Sequence, residues 1–281
     1  LIQKSAAVDR PISKFDFVTH SLGNFILRAY LKKEGMAHVN KIVFTAPPFR
    51  GSIDIVVAIL VGEGVFPGVK AKIRKLIRTF PGALELLAHY KQASQFSMPP
   101  KTHSLFNLAN WQANVRDSPD TPRVAKFKEG LESASNTVET QIQDLSQLRE
   151  DQRKRILVIA RGGYKTYQSL RVHRRLPDEP DNFFDLKGAC RTNDGDGRVP
   201  HVSSCCYWDS VDTLLLEDSF FYKDYSHGFV LKDERTQKLV NRFLFRDHFD
   251  PSIPGGSIGK VTGLRRHTSN KLPYWEALTQ K

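Results

Sequence analysis

Short continuous apolar runs alternate along the chain with longer amphipathic stretches. Four apolar runs have the length and composition of buried strands, and they lie at residues 15–20, 41–47, 156–161 and 211–217. Helix-like segments follow or separate them at residues 22–34, about 124–148 and 231–246. Because strands that alternate with helices form sheets covered by helices, the pattern predicts an α/β fold with a mostly parallel sheet and helices on both faces.

The segment that joins the first predicted strand to the first predicted helix has the form of a nucleophile elbow. Residues 15–24 read Phe-Asp-Phe-Val-Thr-His-Ser-Leu-Gly-Asn, so Ser21 takes the turn and Gly23 follows two positions later. A serine nucleophile needs a sharp turn where a base can reach it and backbone N–H groups face the developing oxyanion. Gly23 suits this elbow, because we expect the strand and the helix to pack so closely that position 23 has no room for a side chain. Thr19 replaces the first glycine of the common G-x-S-x-G form, and Ser21 as a plain helix N-cap is the alternative.

Two later loops supply an acid and a base for such a nucleophile. Asp196 lies in the Asn-Asp-Gly-Asp-Gly stretch at 193–197, after the third predicted strand, and His227 follows the fourth. The chain order Ser21, Asp196, His227 is the order that this architecture requires. Each residue also has a simpler interpretation, because Asp-Gly-Asp-Gly commonly forms turns and loop histidines are commonly solvated. The same stretch matches a calcium-binding loop poorly.

Four stretches of the chain resemble the lecithin:cholesterol acyltransferase-like lipases, a branch of the α/β-hydrolases. They are Phe-Val-Thr-His-Ser-Leu-Gly at 17–23, Ile-Val-Phe-Thr-Ala-Pro-Pro-Phe-Arg-Gly-Ser at 42–52, Gly-Asp-Gly-Arg-Val-Pro at 195–200 and His-Gly-Phe-Val-Leu at 227–231. The resemblance implies an α/β-hydrolase fold and a Ser/Asp/His acyl hydrolase or acyltransferase that acts on lipid esters. It makes Ser21 the nucleophile, His227 the base, and Asp196 rather than Asp194 the acid. The backbone N–H of Leu22, directly after the nucleophile, is the expected oxyanion donor.

The stretch between the second and third predicted strands is far longer than an ordinary crossover. Within it, residues 53–61 are apolar and residues 69–90 are amphipathic, and both are predicted to be helical. We interpret residues 52–122 as a cap insertion over the active site that forms an acyl-binding pocket. Apolar side chains predicted to line that pocket are Val56, Ile59, Leu60 and Phe66. The alternative is a set of ordinary core helices.

The position of the elbow strand predicts that the sequence is part of a larger fold. No initiator Met precedes Leu1, and the elbow strand is the first predicted strand, whereas in the resembled family it is the fifth. We therefore expect the N-terminal strands to be missing and residues 1–8 to be the tail of the preceding helix. The loop that supplies a second oxyanion donor would be missing with them. On this interpretation residues 1–281 form a single α/β-hydrolase domain that is a fragment.

Composition indicates a globular chain large enough to bury a core. The chain has 281 residues, of which 40% are hydrophobic and 26% are charged. No run of about 18 apolar residues predicts a membrane-spanning helix. The three cysteines, Cys190, Cys205 and Cys206, have neither the spacing of a zinc site nor a disulfide framework. Reduced cysteines favour an intracellular location, and we expect no metal and no cofactor.

The formal net charge of +12 is the feature that points away from a simple esterase. In residues 69–78, Lys70, Arg74 and Arg78 fall on one helical face, which suits an interfacial helix that contacts anionic lipid. A nucleic-acid partner is disfavoured because aromatic residues are not interleaved with the basic ones. A solvated basic surface is the simplest explanation.

Two functions from different classes follow from these patterns. The first is a serine esterase or lipase, or an acyltransferase, that acts on a lipid or small acyl ester through Ser21, His227 and Asp196. The second is a non-catalytic α/β-hydrolase-like binding or scaffolding protein with a basic surface. Convergence of the candidate side chains in a structure would favour the first.

Overall fold

The computed structural model of the chain describes residues 12–62, 70–96, 104–116, 121–174, 182–217, 227–245, 264–267 and 276–277. The chain forms two compact units. The first comprises Leu1–Pro47, Ile142–Arg161 and Tyr207–Lys281, and the second comprises Pro48–Gln141 and Gly162–Cys206. The helix tail predicted over residues 1–8 lies outside the described residues.

The elements of the described residues alternate between strands and helices for much of the chain. The strands are β1 (Phe15–His20), β2 (Val39–Thr45), β3 (Ser94–Phe96), β4 (Ile156–Gly162), β5 (Thr166–Arg174), β6 (Asn182–Thr192), β7 (Asp212–Glu217), β8 (Leu264–His267) and β9 (Glu276–Ala277). The α-helices are α1 (Gly23–Glu34), α2 (Ile53–Val61), α3 (Lys70–Ile77), α4 (Pro81–Leu84), α5 (Ala113–Arg116), α6 (Thr121–Asn136), α7 (Glu150–Arg153), α8 (His201–Ser204) and α9 (Glu234–Phe245). Short 3₁₀ turns occupy Leu108–Asn110, Leu145–Gln147 and His227–Lys232, and a π-helical turn occupies Thr137–Gln141.

The first unit is built on a sheet with the strand order β1-β2-β4-β7-β8-β9. Strands β1, β2 and β4 pair in parallel, whereas β7 pairs with β8, and β8 with β9, in antiparallel fashion. The four strands predicted from continuous apolar runs are confirmed as β1, β2, β4 and β7. The chain therefore has an α/β fold.

The apolar side chains of these strands pack against the last described helix of the unit. Val43, Leu157 and Leu214 are buried on one face of the sheet, and they contact Leu239 and Phe243 of α9 in one cluster. Burial of each such side chain stabilises the fold by about 1.5–3 kcal/mol. The central strands are continuously apolar because a parallel sheet of this kind is covered rather than solvated.

Helix α1 follows the elbow and ends where the sequence predicted. Gly35 has a φ of 65° and its N–H donates to the carbonyl of Leu31 at 2.9 Å, which closes the last turn. A left-handed φ favours glycine. Lys32 and Lys33 in the last turn interact favourably with the negative end of the helix dipole.

The second unit combines helices with a three-stranded sheet of order β3-β5-β6. Strands β5 and β6, which the sequence pattern did not predict, pair in antiparallel fashion. The core of this unit contains Trp111, which stacks on Phe184 with ring centroids 5.3 Å apart and meets Phe127 edge-on at 5.4 Å.

The helix predicted over about 124–148 does not continue to its predicted end. Helix α6 ends at Asn136, and the Thr140 hydroxyl donates to the Asn136 carbonyl at 2.7 Å within the following π-helical turn. Such side-chain bonds to the backbone compete with regular helix. The amphipathic stretch 69–90 likewise forms two helices, because Pro81 starts α4.

The range 52–122 that was interpreted as a cap lies inside the second unit. Its predicted helix at 53–61 is confirmed as α2, which begins at the N-cap Ser52 and ends at Gly62, with a φ of 75°. Val56, Ile59 and Leu60 are buried in the core of the unit, and Phe66 lies outside the described residues. A cap over the active site, and one hydrolase domain over the whole chain, stay predictions.

Candidate active site

Ser21 lies in a strained turn between β1 and α1. Its φ is 53°, a left-handed conformation that few residues other than glycine adopt. The Ser21 N–H donates to the Thr45 carbonyl at 3.3 Å. Ala46, with a φ of 43°, is the other non-glycine residue with a positive φ in the described part of the chain, and it follows the neighbouring strand β2. Such strained residues cluster at functional sites, and the strained turn is what a nucleophile elbow requires.

His227 begins the 3₁₀ turn His227–Lys232, and its side chain contacts Ser21. The His227 Nε2 and the Ser21 Oγ are 2.8 Å apart, which is hydrogen-bond distance. His227 is buried and Ser21 is half-buried. Both residues belong to the first unit, and the structure brings their side chains together.

This pair has the geometry of a nucleophile and its general base. With the proton of His227 on Nδ1, the Nε2 lone pair accepts the hydrogen bond of the Ser21 hydroxyl. The same nitrogen can then remove that proton as the oxygen attacks an electrophile. A distance of 2.8 Å needs no closing motion for this proton transfer.

Leu22, whose backbone N–H is the expected oxyanion donor, lies directly after Ser21 and directly before α1. The Phe25 N–H already donates to the Leu22 carbonyl at 3.0 Å. The first N–H groups of a helix have no intrahelical acceptor. Within the described part of the chain, the Leu22 N–H donates no hydrogen bond.

Gly23 is not required by close packing of the elbow, although the sequence predicted that it would be. A Cβ at this position would meet the Cβ of Thr19 at 3.8 Å, which is an ordinary van der Waals contact. The expectation that the elbow leaves no room for a side chain is therefore wrong. In this elbow the strained φ falls on Ser21 itself.

Asp196 belongs to the second unit, in the loop between β6 and α8. Its side chain is buried, and its Oδ1 accepts backbone hydrogen bonds from Arg198 at 3.0 Å and Val199 at 2.8 Å. These bonds fix the carboxylate within its own loop. Asp194, the other acid of this stretch, is exposed. The choice of Asp196 as the acid stays a prediction.

Cys205 follows α8 in the same unit, and its thiol is unreactive. Burial raises the pKa of the Cys205 thiol to about 12, and the charge of Asp196 adds to that rise. The thiolate is the reactive form of cysteine. Cys205 is therefore not a candidate nucleophile.

His20 is a contact of the candidate base that the sequence did not single out. Its Nε2 donates a hydrogen bond of 2.8 Å to the main-chain carbonyl of His227, because a carbonyl can only accept. The two imidazole rings lie with centroids 5.0 Å apart. Ser21 thus contacts the side chain of His227 while the preceding residue holds its backbone.

An ionic cluster follows the His227 turn. Asp233, directly before α9, accepts hydrogen bonds from Arg161 and from Arg235, each at 2.5 Å. Desolvation raises the pKa of Asp233, but the hydrogen bonds and charge of Arg235 and the charge of Arg161 outweigh it, so the pKa is lowered. The carboxylate is therefore kept ionised beside the turn that carries His227.

The basic face predicted for residues 69–78 is only partly exposed. Lys70 is exposed on α3, whereas the Arg78 Nε donates to the Ile59 carbonyl at 3.1 Å. Burial, together with the charge of Arg74, lowers the pKa of Arg78 to about 10. Exposed cations on this helix are Lys70, Lys72 and Lys75.

The described residues show neither a metal-binding cluster nor a membrane-spanning helix. Among the described residues, no group of three or more His, Cys, Asp or Glu side chains could hold a metal ion. Within the same residues, no helix combines the length and the apolar content that crossing a bilayer requires.

A chain from the crystal structure of the Tle4–Tli4 complex is similar to this one in fold. It superimposes with a TM-score of 0.50 at 15% sequence identity. The match covers 73% of this chain and 53% of that chain, so the present chain spans about half the length of its structural neighbour. At this identity the similarity concerns the α/β fold. The sequence matches no protein-family model and no curated protein.

Proposed function

We propose that the chain is a serine acyl-ester hydrolase in which Ser21 is the nucleophile and His227 the general base. The observation that carries this proposal is the hydrogen bond of 2.8 Å between the Ser21 Oγ and the His227 Nε2, made from a turn in which Ser21 has a φ of 53°. A serine N-cap would need neither the left-handed turn nor a histidine partner that is 206 residues away.

The reaction would proceed through an acyl-enzyme. The Ser21 Oγ attacks the ester carbonyl carbon as the His227 Nε2 takes its proton, and the Leu22 N–H donates to the oxyanion that forms. The tetrahedral species then breaks its bond to the leaving alkoxide, which receives the proton from His227. Water, or an acceptor alcohol in an acyltransferase, attacks the acyl-enzyme by the same steps and frees Ser21.

Asp196 is the proposed acid of this triad. A carboxylate in that role holds the imidazole in its Nδ1–H tautomer and stabilises the imidazolium that forms. Support for Asp196 comes from its burial, from the two backbone N–H groups that fix its Oδ1, and from its place in the chain order. Loss of this acid would lower kcat by about 10⁴-fold if it acts as in other triads.

The substrate class follows from the resemblance to the lecithin:cholesterol acyltransferase-like lipases. We propose a lipid ester or a small acyl ester, with the cap range 52–122 contributing to the acyl pocket. A contact with an anionic membrane surface would use the exposed lysines of α3. Vesicle co-sedimentation tests it: binding should be stronger to vesicles with phosphatidylglycerol than to phosphatidylcholine alone, and Lys72→Glu with Lys75→Glu should remove the difference.

The activity is tested with a fluorophosphonate probe, which phosphonylates an activated serine and releases fluoride. We expect the wild-type chain to be labelled, and Ser21→Ala and His227→Ala to be unlabelled while folded. Ser146→Ala is the matched control, since the Ser146 hydroxyl donates to Asp144 in an exposed turn, and it should be labelled like wild type. Turnover of p-nitrophenyl acetate, butyrate and palmitate then reports the acyl length. A wild-type chain that is folded, unlabelled and inactive on all three esters contradicts the proposal.

A further inference from the structure

We infer that Asn24 is a positioning residue whose carboxamide holds Ser21 in the left-handed conformation that directs its hydroxyl to His227. Its effect on a reaction rests on the proposed function, because only a nucleophilic Ser21 makes the direction of that hydroxyl matter. The effect of Asn24 on the conformation of Ser21 does not depend on the proposed function.

The Asn24 side chain is fully buried in the first turn of α1, and each of its polar atoms bonds to the elbow or to the next strand. The Nδ2 donates to the Ser21 carbonyl at 2.7 Å and to the Thr45 carbonyl at 3.2 Å. The Oδ1 accepts the Thr19 hydroxyl at 2.6 Å. A buried polar side chain in a helix normally costs stability, so this complete set of partners indicates a specific role.

The partners fix which way the carboxamide points. Both main-chain carbonyls can only accept, so the NH₂ group must face Ser21 and Thr45. The Thr19 hydroxyl then has to donate to the Oδ1. A flipped amide would place its oxygen against two carbonyl oxygens, and only one orientation is compatible with the site.

These contacts tie down both backbone polar groups of Ser21. The Ser21 carbonyl accepts from the Asn24 backbone N–H at 3.0 Å as well as from the Nδ2. The Ser21 N–H donates to the Thr45 carbonyl, which is the second acceptor of the Asn24 side chain. The Thr45 hydroxyl closes the ring by donating to the Thr19 carbonyl at 2.9 Å. Rotation of Ser21 out of its left-handed conformation would therefore break bonds on both sides of the residue.

No other side chain supplies the same combination in the same space. Asp has the shape of Asn but would direct an oxygen at two carbonyl oxygens. Ala would leave the half-buried Thr19 hydroxyl without its acceptor. Asn24→Asp and Asn24→Ala thus remove the side-chain hydrogen bonds of Asn24 in two different ways. One variant can therefore be used if the other does not fold.

The first experiment measures kcat, KM and the rate of fluorophosphonate labelling for both variants below their melting temperatures. We expect kcat and the labelling rate to fall by about 10²-fold, because a misplacement of about 1 Å has an effect of that size, while KM changes little. Thr213→Val is the control, since Thr213 is also buried and its hydroxyl donates to the Val211 carbonyl at 3.1 Å at the start of β7. It should lower the melting temperature without lowering kcat. A folded Asn24→Asp variant with kcat and labelling within twofold of wild type would overturn the inference.

The second experiment needs no activity. Glycine adopts a positive φ without strain and alanine does not, so Ser21→Gly should be more stable than Ser21→Ala when the turn is held left-handed. We expect this difference in unfolding free energy with Asn24 present and its disappearance with Asn24→Ala, because the freed turn relaxes. An equal difference in both backgrounds would show that Asn24 does not hold the turn. If wild type proves inactive while the difference still depends on Asn24, the proposed function fails and the conformational role of Asn24 stands.

Discussion

Arg161 and Asp233 form a buried ion pair, with the Arg161 Nη2 and the Asp233 Oδ2 2.5 Å apart. Arg161 lies at the end of β4, and Asp233 caps α9, where its Oδ1 also accepts the Arg235 backbone N–H at 2.8 Å. The pair therefore joins the sheet to the helix that follows the His227 turn. It also makes the stability of the first unit depend on the charge of Asp233.

Replacement of Asp233 should destabilise the fold most at neutral pH. Removal of one partner of a buried pair costs about 3–5 kcal/mol, and we expect Asp233→Asn to lower the free energy of unfolding by that amount at pH 7. The folded pKa of Asp233 is lowered, so its contribution is complete above the unfolded pKa of about 3.8 and is lost as the pH falls through the folded value. The difference between wild type and Asp233→Asn should shrink as acid is added.

Denaturant unfolding at several pH values between neutral and acid measures this difference. Asp209→Asn is a suitable control, because Asp209 is exposed and its replacement should stay within about 0.5 kcal/mol. A gap between wild type and Asp233→Asn that does not change with pH would mean that Asp233 titrates alike in the folded and unfolded chains.

Replacement of His20 should slow turnover through the backbone of His227. His20→Leu removes the N–H that donates to the His227 carbonyl, and we expect kcat to fall by about 10- to 10²-fold with KM little changed, because a small misplacement of the base is enough. His20→Gln retains an N–H donor at a similar reach and should recover most of kcat. Steady-state kinetics with each variant, alongside its melting temperature, measure the effect. Equal kcat values for the two variants would show that the His20 hydrogen bond does not position His227.

Two glycine substitutions should have opposite outcomes. A Cβ at Gly51 would lie 2.2 Å from the Leu87 carbonyl oxygen, and Gly51 has a φ of 74°, so Gly51→Ala combines a clash with backbone strain. We expect it to destabilise the fold by more than about 3 kcal/mol. Gly23→Ala meets only Thr19 at 3.8 Å and gains helix propensity of up to about 1 kcal/mol. Thermal unfolding measures both, and a strongly destabilised Gly23→Ala would restore the tight elbow that the sequence predicted.

The cysteines should differ in reactivity while the chain is folded. With its pKa raised to about 12, buried Cys205 is almost entirely a thiol at pH 8 and iodoacetamide should leave it unmodified. Cys190 is exposed and should be alkylated. Mass spectrometry of peptides from the native chain tests this, and a guanidinium-unfolded sample, in which both react, is the control. Rapid native alkylation of Cys205 would show that its surroundings open.

The elements that could be predicted are those in which burial imposes a simple pattern. β4, and β2 from Ile42 onward, are buried and mainly apolar, so the predicted positions of these two strands were correct to within two residues. β5 and β6 were missed because their charged and polar side chains interrupt any apolar run, and the pairing of the two strands is what makes them a sheet.

For the site, the pairing of Ser21 with His227 followed from motif and chain order. The hydrogen bonds by which Asn24 holds the elbow did not. Asn24 meets Thr45 because β1 and β2 lie in register, with His20 opposite Thr45. A register between strands is a property of the folded sheet, and no local pattern in the sequence reveals it. Gly23 has room for a Cβ for a related reason, since the space at a position depends on how the helix leaves the turn.

The division of the chain into units has a consequence for folding. The first unit is interrupted twice, because the chain leaves it after Pro47, returns at Ile142, leaves again after Arg161 and returns at Tyr207. During synthesis β1 and β2 emerge long before β4 and β7, and sequence-distant strand pairing is slow because loop closure must come first. During that interval the two strands beside the elbow lack β4 and β7 as partners. We expect the bond between Ser21 and His227, which spans 206 positions, to form among the last contacts of this unit.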